Sequence, residues 1–211
     1  MGPKDIKSLG ITYRFIPPDQ MPASLFEAVC ALVEAGGGVS PKLVRYNLKR
    51  AFLIACAEKE GLLVGTSSLK RPRPEYVQRI KDKLGLDIQG FLERGYTSIL
   101  PEYRGLGIGT DLLGGLTSRA KGYGIYSLIR EDDRETQTIA IRNHTVKVAT
   151  FYSELTGQDL GLWMPADTAK EHGLTILPQI KQVKSRNVSE QRQDNLQDSG
   201  VNPLQGKEKM P

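Results

Sequence analysis

Histidine, cysteine and tryptophan are scarce in this chain: two, two and one among 211 residues. His144 and His172 stand far apart and no paired-cysteine spacing exists, so metal-ligand patterns have no support and no metal is expected. A G-x-S-x-G elbow is also missing, which removes support for a Ser-His-Asp hydrolase. Cys30 and Cys56 each sit in an apolar stretch and are expected to be buried, reduced thiols, which points to a cytoplasmic protein. No apolar run approaches the ~18 residues of a membrane helix. The opening MGPKDIKSLG lacks the apolar core of a secretory signal. Neither membrane insertion nor export is expected.

What remains is ordinary for a soluble globular chain, 39% hydrophobic and 25% charged, and long enough to bury a core of its own. The net charge is +5, of which the segment from Lys181 to Pro211 supplies six Lys/Arg against four Asp/Glu, or +2. The remaining +3 leaves nucleic acid open as a partner without supporting it.

Apolar spacing divides the chain into alternating elements. Ile11–Ile16 reads as a strand closed by Pro17-Pro18. Residues 22–35 read as a helix with Phe26, Val29, Cys30 and Val33 on one face, ended by three glycines. Ser40-Pro41 opens a shorter basic helix. Residues 51–58 and 61–69 form a hairpin, 71–88 a basic helix, and 90–100 a further strand. A helix from 107 to 121, a strand at 125–129, a helix at 146–155 and a strand at 160–163 complete the pattern. Trp163 is expected in the core or at a sheet edge. From about Val183 the sequence is polar and holds no aromatic residue, so the tail is expected to be disordered. This predicts one α/β (α+β) domain over residues 11–166 and an extension over 167–211, flexible from about 183.

The informative stretch is PEYRGLGIGT, from Pro101 to Thr110. A strand ends in a glycine-rich turn that at once opens a helix, which aims backbone N–H groups and the positive helix end at one point. Arg104 adds a permanent charge, and side chains at Gly105, Gly107 or Gly109 would hold a phosphate away from the backbone. The pattern predicts a pyrophosphate cradle. A dinucleotide fingerprint fails, because the sixth position is Thr110 counted from Gly105 and Leu112 counted from Gly107. A P-loop fails because Gly109-Thr110-Asp111 has no lysine.

Arg104, Gly107 and Gly109 do fit Arg-x-x-Gly-x-Gly, and here the chain resembles the GNAT superfamily of N-acetyltransferases. The likeness spans roughly residues 11–165 in order of elements and is sharp over about 90–122. It implies a mixed, mostly antiparallel central sheet flanked by helices, with acetyl-CoA as donor and no metal. It also implies that Ile99, Leu100, Arg104, Gly105, Leu106, Gly107, Ile108, Gly109, Thr110 and Asn143 bind the cofactor, Leu100 through backbone contact with the pantetheine. Glu93, eleven residues before Arg104, resembles the family's general base, the alternative being a carboxylate paired with Arg94 or another cation. Phe151-Tyr152-Ser153-Glu154-Leu155 resembles the stretch whose tyrosine sits near the cofactor sulfur, which makes Tyr152 the general acid or else a packing residue. Asparagine is common seven residues before that tyrosine, whereas this chain has Thr145 there and Asn143 two residues earlier.

The activity implied is direct acetyl transfer to a primary amine on a small molecule or protein. A free lysine-like amine has a pKa of ~10.4, so a base must take its proton near neutrality. The acceptor pocket is implied to include Gly36–Ser40 and the acidic Glu131-Asp132-Asp133. The basic run Lys70, Arg71, Arg73, Arg79, Lys81 and Lys83 reads as a solvated face or a contact for an anionic carrier. Transfer to nucleic acid or aminoacyl-tRNA, and a non-catalytic acyl-CoA-binding module, stay open as alternatives, as does a homodimer.

Overall fold

The computed structural model describes residues 10–178, apart from positions 38 and 155. The tail expected to be disordered lies outside the described residues. In chain order the elements are β1 (Ile11–Ile16), α1 (Ala23–Ala35), α2 (Pro41–Lys49), β2 (Leu53–Lys59), β3 (Leu62–Lys70), α3 (Pro74–Leu84) and β4 (Leu92–Ile99). They continue as α4 (Ile108–Arg119), β5 (Ile125–Arg130), α5 (Arg134–Arg142), β6 (Thr145–Ser153), β7 (Gln158–Pro165) and α6 (Ala166–Glu171). The strands form one seven-stranded sheet in the order β1-β2-β3-β4-β5-β7-β6. Every neighbouring pair is antiparallel except β4 with β5. This is the mixed, mostly antiparallel sheet expected from the sequence.

Strand alternation sorts the helices by face. In β2, Ile54 and Cys56 pack under α1 and α2, while Leu53, Ala55 and Ala57 pack under α4. In β5, Ile125 and Ile129 face α4 and α5, and Tyr126 faces α3 and α6. Helix α4 lies close on the sheet because small residues allow it. A Cβ on Gly115 would stand 2.1 Å from the Phe15 ring, and one on Gly65 would stand 3.1 Å from Ile108 Cγ2. Cys30 and Cys56 are buried free thiols in the same cluster, and burial, aided by nearby Glu58, pushes Cys56 up to about 12. Trp163 is in the core. Helix α6 continues past residue 166, the expected end of the domain, and buries Ala169 against the sheet. Among the described residues no helix is long and apolar enough to cross a membrane.

Two elements correct the sequence reading. The helix expected over 146–155 is strand β6, in which Val146 and Val148 pack toward α3 while Lys147 reaches Glu131. The polar stretch before it is helix α5, whose N-cap Asp133 accepts from the Thr136 backbone N–H at 2.9 Å and from its hydroxyl at 2.7 Å.

The parallel pairing is very short. Only Leu92↔Ile125 and Glu93↔Tyr126 pair, and beyond them β4 and β5 part. The junction is tied by Arg94, which is 2% exposed. Its Nε donates to Ser127 Oγ at 3.2 Å, Nη1 to Thr117 Oγ1 at 2.8 Å and Nη2 to Thr145 Oγ1 at 2.9 Å. One side chain thereby joins β4, β5, α4 and β6. Burial lowers the guanidinium to about 10, so it stays charged at neutral pH. Arg94→Ala would leave three hydroxyls without their donor, and a loss of about 2–4 kcal/mol is expected. Urea unfolding checks this; a variant as stable as the parent would show that Arg94 does not hold the junction.

Candidate active site

The cradle is built where β4 runs out. Leu100 donates its N–H to the Val64 carbonyl at 3.0 Å, which keeps the strand end on β3. A single 3-10 turn, Pro101–Tyr103, then swings the chain outward. Gly105 (φ 74°) and Gly107 (φ 85°) turn it back through left-handed backbone that a Cβ disfavours. Gly107 is the N-cap of α4, and the first helical bond runs from Asp111 N to Gly107 O at 3.1 Å. The N–H groups of Ile108, Gly109 and Thr110 precede that bond, so they meet the end of the helix without a helical acceptor. With a partial charge of about +0.5 at this end, the arrangement suits an anion. Arg104 stands exposed beside it, its Nε donating to the Ile99 carbonyl at 3.2 Å. Leu106, Ile99 and Leu100 are half-buried on the core beneath. Asp111, in the first turn, accepts from the Tyr13 hydroxyl at 2.8 Å, and burial together with this carboxylate pushes the phenol's pKa up.

Gly109 has a packing role beside the one its spacing suggests. It is buried, and a Cβ there would stand 2.9 Å from Ile139 Cδ1 and 3.3 Å from Ile99 Cδ1. Its small size lets α5 pack on α4. Asn143 sits further along the same helix pair, where its Oδ1 is 3.1 Å from the place a Cβ on Gly114 would take. That is six positions past Ile108, or about 9 Å along the axis. Its Nδ2 donates to the Ile139 carbonyl at 3.1 Å, so it closes α5 rather than joining the cradle.

Glu93 lies at the point where β4 and β5 part, on the face opposite α4. It faces Lys70 across β3 and Tyr126 across β5, three residues in one cross-strand row. Lys70 Nζ donates to Glu93 Oε1 at 2.7 Å, and both side chains are largely buried. Of the pairing with Arg94 or another cation expected as the alternative, Arg94 points to the other face and Lys70 is the cation that pairs. Among the described residues the buried Tyr126 hydroxyl has no partner of hydrogen-bonding geometry. Burial, with the Glu93 charge close by, pushes its pKa well up, and the same two causes raise Tyr76 of α3.

Just past Glu93 the strand bulges. Tyr96 and Thr97 oppose the single residue Ser67, and Tyr96 takes φ 55°, an uncommon value for a tyrosine. Asn47 of α2 holds its hydroxyl at 2.7 Å, and Lys70 Nζ lies 4.1 Å from its ring centroid. Lys70, Tyr76, Tyr96 and Tyr126 were not singled out by sequence reasoning as site residues. Lys70 was read as part of a basic helix face, yet it is the last residue of β3.

Tyr152 is not brought to this place. The likeness of residues 151–155 to the family stretch makes it the acid, whereas it lies on the outer strand β6, paired with Asp159 and 53% exposed. The Glu93 row continues across β5 and β7 to Val146, six residues from Tyr152, or roughly 20 Å of strand. The acidic stretch is also engaged. Glu131 pairs with Lys147 at 2.8 Å, Asp132 with Arg130 at 3.0 Å, and Asp133 caps α5. The start of the 36–40 loop does approach β4, for a Cβ on Gly36 would stand 3.1 Å from Ser98 Oγ. A cavity of about 430 Å³, lined by Arg71, Val77, Phe91 and Tyr123 among others, lies at the other end of β4 from the cradle.

Comparison with known proteins supplies the class of fold. No protein-family model matches the chain, and no curated protein matches it in sequence. Solved structures do match. An IAA acetyltransferase from Bacillus cereus aligns at TM-score 0.53 and 15% identity, covering 74% of this chain and 98% of its own. A Desulfovibrio desulfuricans protein assigned to the GNAT family of acetyltransferases aligns at TM-score 0.52 and 14% identity, over 72% and 96%. A Salmonella typhimurium protein solved with its cofactor acetyl-CoA aligns at TM-score 0.50 and 15% identity, over 72% and 91%. The chain therefore has the GNAT acetyltransferase fold. Fold alone does not fix activity, which rests on the site.

Tyr152→Phe is expected to leave acetyl-CoA affinity and any acetyl-transfer rate within twofold of the parent. A hundredfold loss of rate at unchanged affinity would restore it as the acid.

Proposed function

We propose that this protein is an acetyl-CoA-dependent N-acetyltransferase, acting on a primary amine of a small molecule or protein. The observation that carries the reading is the parting of β4 from β5 immediately after Glu93, with the anion cradle at the far end of the freed strand. Residues 94–99 of β4 pair with β3 on one side and, among the described residues, with no strand on the other. That open edge runs for about 20 Å, from a carboxylate at one end to unused helix N–H groups at the other. A donor with a pyrophosphate at one end and an amide-bearing arm has the matching pattern of charges and hydrogen-bonding groups.

In this reading the N–H groups of Ile108, Gly109 and Thr110, with Arg104, hold the phosphates, and β4 from Gly95 to Leu100 lines the arm. The bound donor supplies an activated acetyl thioester. Glu93 takes the proton from the attacking amine, and the start of the 36–40 loop borders the acceptor's approach. Tyr152 has no part in this mechanism. The two buried free thiols suit a reducing compartment such as the cytoplasm.

Calorimetric titration with acetyl-CoA at two salt concentrations tests the reading. One-to-one micromolar binding is expected, and Gly107→Val, which forces a β-branched residue to φ 85°, should weaken it at least tenfold in a folded variant. A folded parent without affinity would overturn the assignment. Binding with no turnover over a broad amine panel would favour an acyl-CoA-binding module. Activity that needs RNA and falls steeply with salt would favour a nucleic-acid acceptor.

A further inference from the structure

Lys70 carries the inference. Its side chain leaves the end of β3 and crosses over β4, so that Nζ lies 3.3 Å from where a Cβ on Gly95 would stand. The amine therefore sits over the first residues of the freed strand, in a tight approach that a Cβ at Gly95 would crowd. It is 2.7 Å from Glu93 Oε1 and 4.1 Å from the Tyr96 ring centroid. A primary amine, a carboxylate base and an aromatic face are thus assembled at the point where β4 and β5 separate, and the amine belongs to the protein. Surface lysines such as Lys81 and Lys83 are paired elsewhere, with Asp87 and Glu154.

We propose that Lys70 is an internal acetyl acceptor, modified on Nζ by acetyl-CoA bound to the same molecule. The proposal rests on the reading of the cradle and the open strand as the acetyl-CoA site. The lysine ammonium gives one proton to the Glu93 carboxylate, and the freed Nζ lone pair attacks the thioester carbonyl carbon. An N–C bond forms as the C–S bond breaks, and the electron pair of that bond leaves on sulfur. The second proton lost by nitrogen passes to the thiolate. The products are neutral Nζ-acetyl-Lys70, protonated Glu93 and free coenzyme A thiol, with no other reactant required.

The experiment is incubation of the full-length protein with acetyl-CoA, followed by intact mass and peptide mapping, with calorimetry run beside it. One acetyl group on Lys70 is expected, formed at a rate that does not depend on protein concentration. Glu93→Gln should slow it by about a hundredfold, the low end of what a positioned base contributes. Lys70→Arg keeps the charge beside Glu93 and should fold and bind acetyl-CoA without gaining that acetyl group. Tight acetyl-CoA binding with Lys70 unmodified, or modified no faster than in urea-unfolded protein, would overturn the proposal and leave the proposed function standing. Absence of acetyl-CoA binding by the folded protein would overturn both.

Discussion

The structure turns on one buried cation. Two parallel strands that pair for only two residues must separate to open an edge, yet the sheet must stay in one piece. Arg94 meets both demands by bonding across the junction to hydroxyls on β5, α4 and β6. Hydroxyls, unlike a carboxylate, leave its charge uncancelled, and a buried charge without a counter-ion is costly. Part of that cost is offset by three charge-assisted hydrogen bonds from one rigid planar group. A lysine could not make the same three bonds in three directions. Residues 93 and 94 point to opposite faces, so the residue that ties the junction and the carboxylate at its mouth are sequence neighbours.

How much of this was legible in the sequence depended on the range of the forces involved. The strand–turn–helix geometry of the cradle was legible because its causes are local: a strand end, glycines that tolerate positive φ, and a helix start. The amphipathic helices α1 and α4 were legible for the same reason. The stretch Thr145–Ser153 was misread, although its β-branched residues at 145, 146, 148 and 150 favour a strand. Helix α5 had a local sign too, in the Asp133 N-cap followed three residues later by Thr136. Gly109 shows a subtler limit. A Cβ at this position would meet the Ile139 side chain, a constraint that only packing of α5 on α4 reveals.

The cluster around Glu93 was beyond sequence reasoning in a stricter sense. Lys70 and Glu93 lie 23 positions apart, and whether they face each other depends on the register of β3 on β4. That register contains a bulge, and a slip of one residue would send one of the two to the other face. Tyr96 is placed by the same bulge, and its positive φ leaves no trace in composition or period. Bulges of this kind bend an edge and re-aim side chains, which is the geometry an open strand beside a reactive group needs.

The formal charges around the junction make a final point about the lysine. Lys70 and Arg94 contribute +2 and Glu93 contributes −1, so a net +1 is buried where the strands part. Such a surplus suits a site for a polyanionic donor, but it persists in the free protein, where an uncancelled buried charge is costly. Replacing the lysine ammonium by a neutral amide would bring the sum to zero with Glu93 ionised. The carboxylate would also lose its ion-pair partner. The contact between Lys70 Nζ and Glu93 Oε1 thus sets the charge balance of the whole junction.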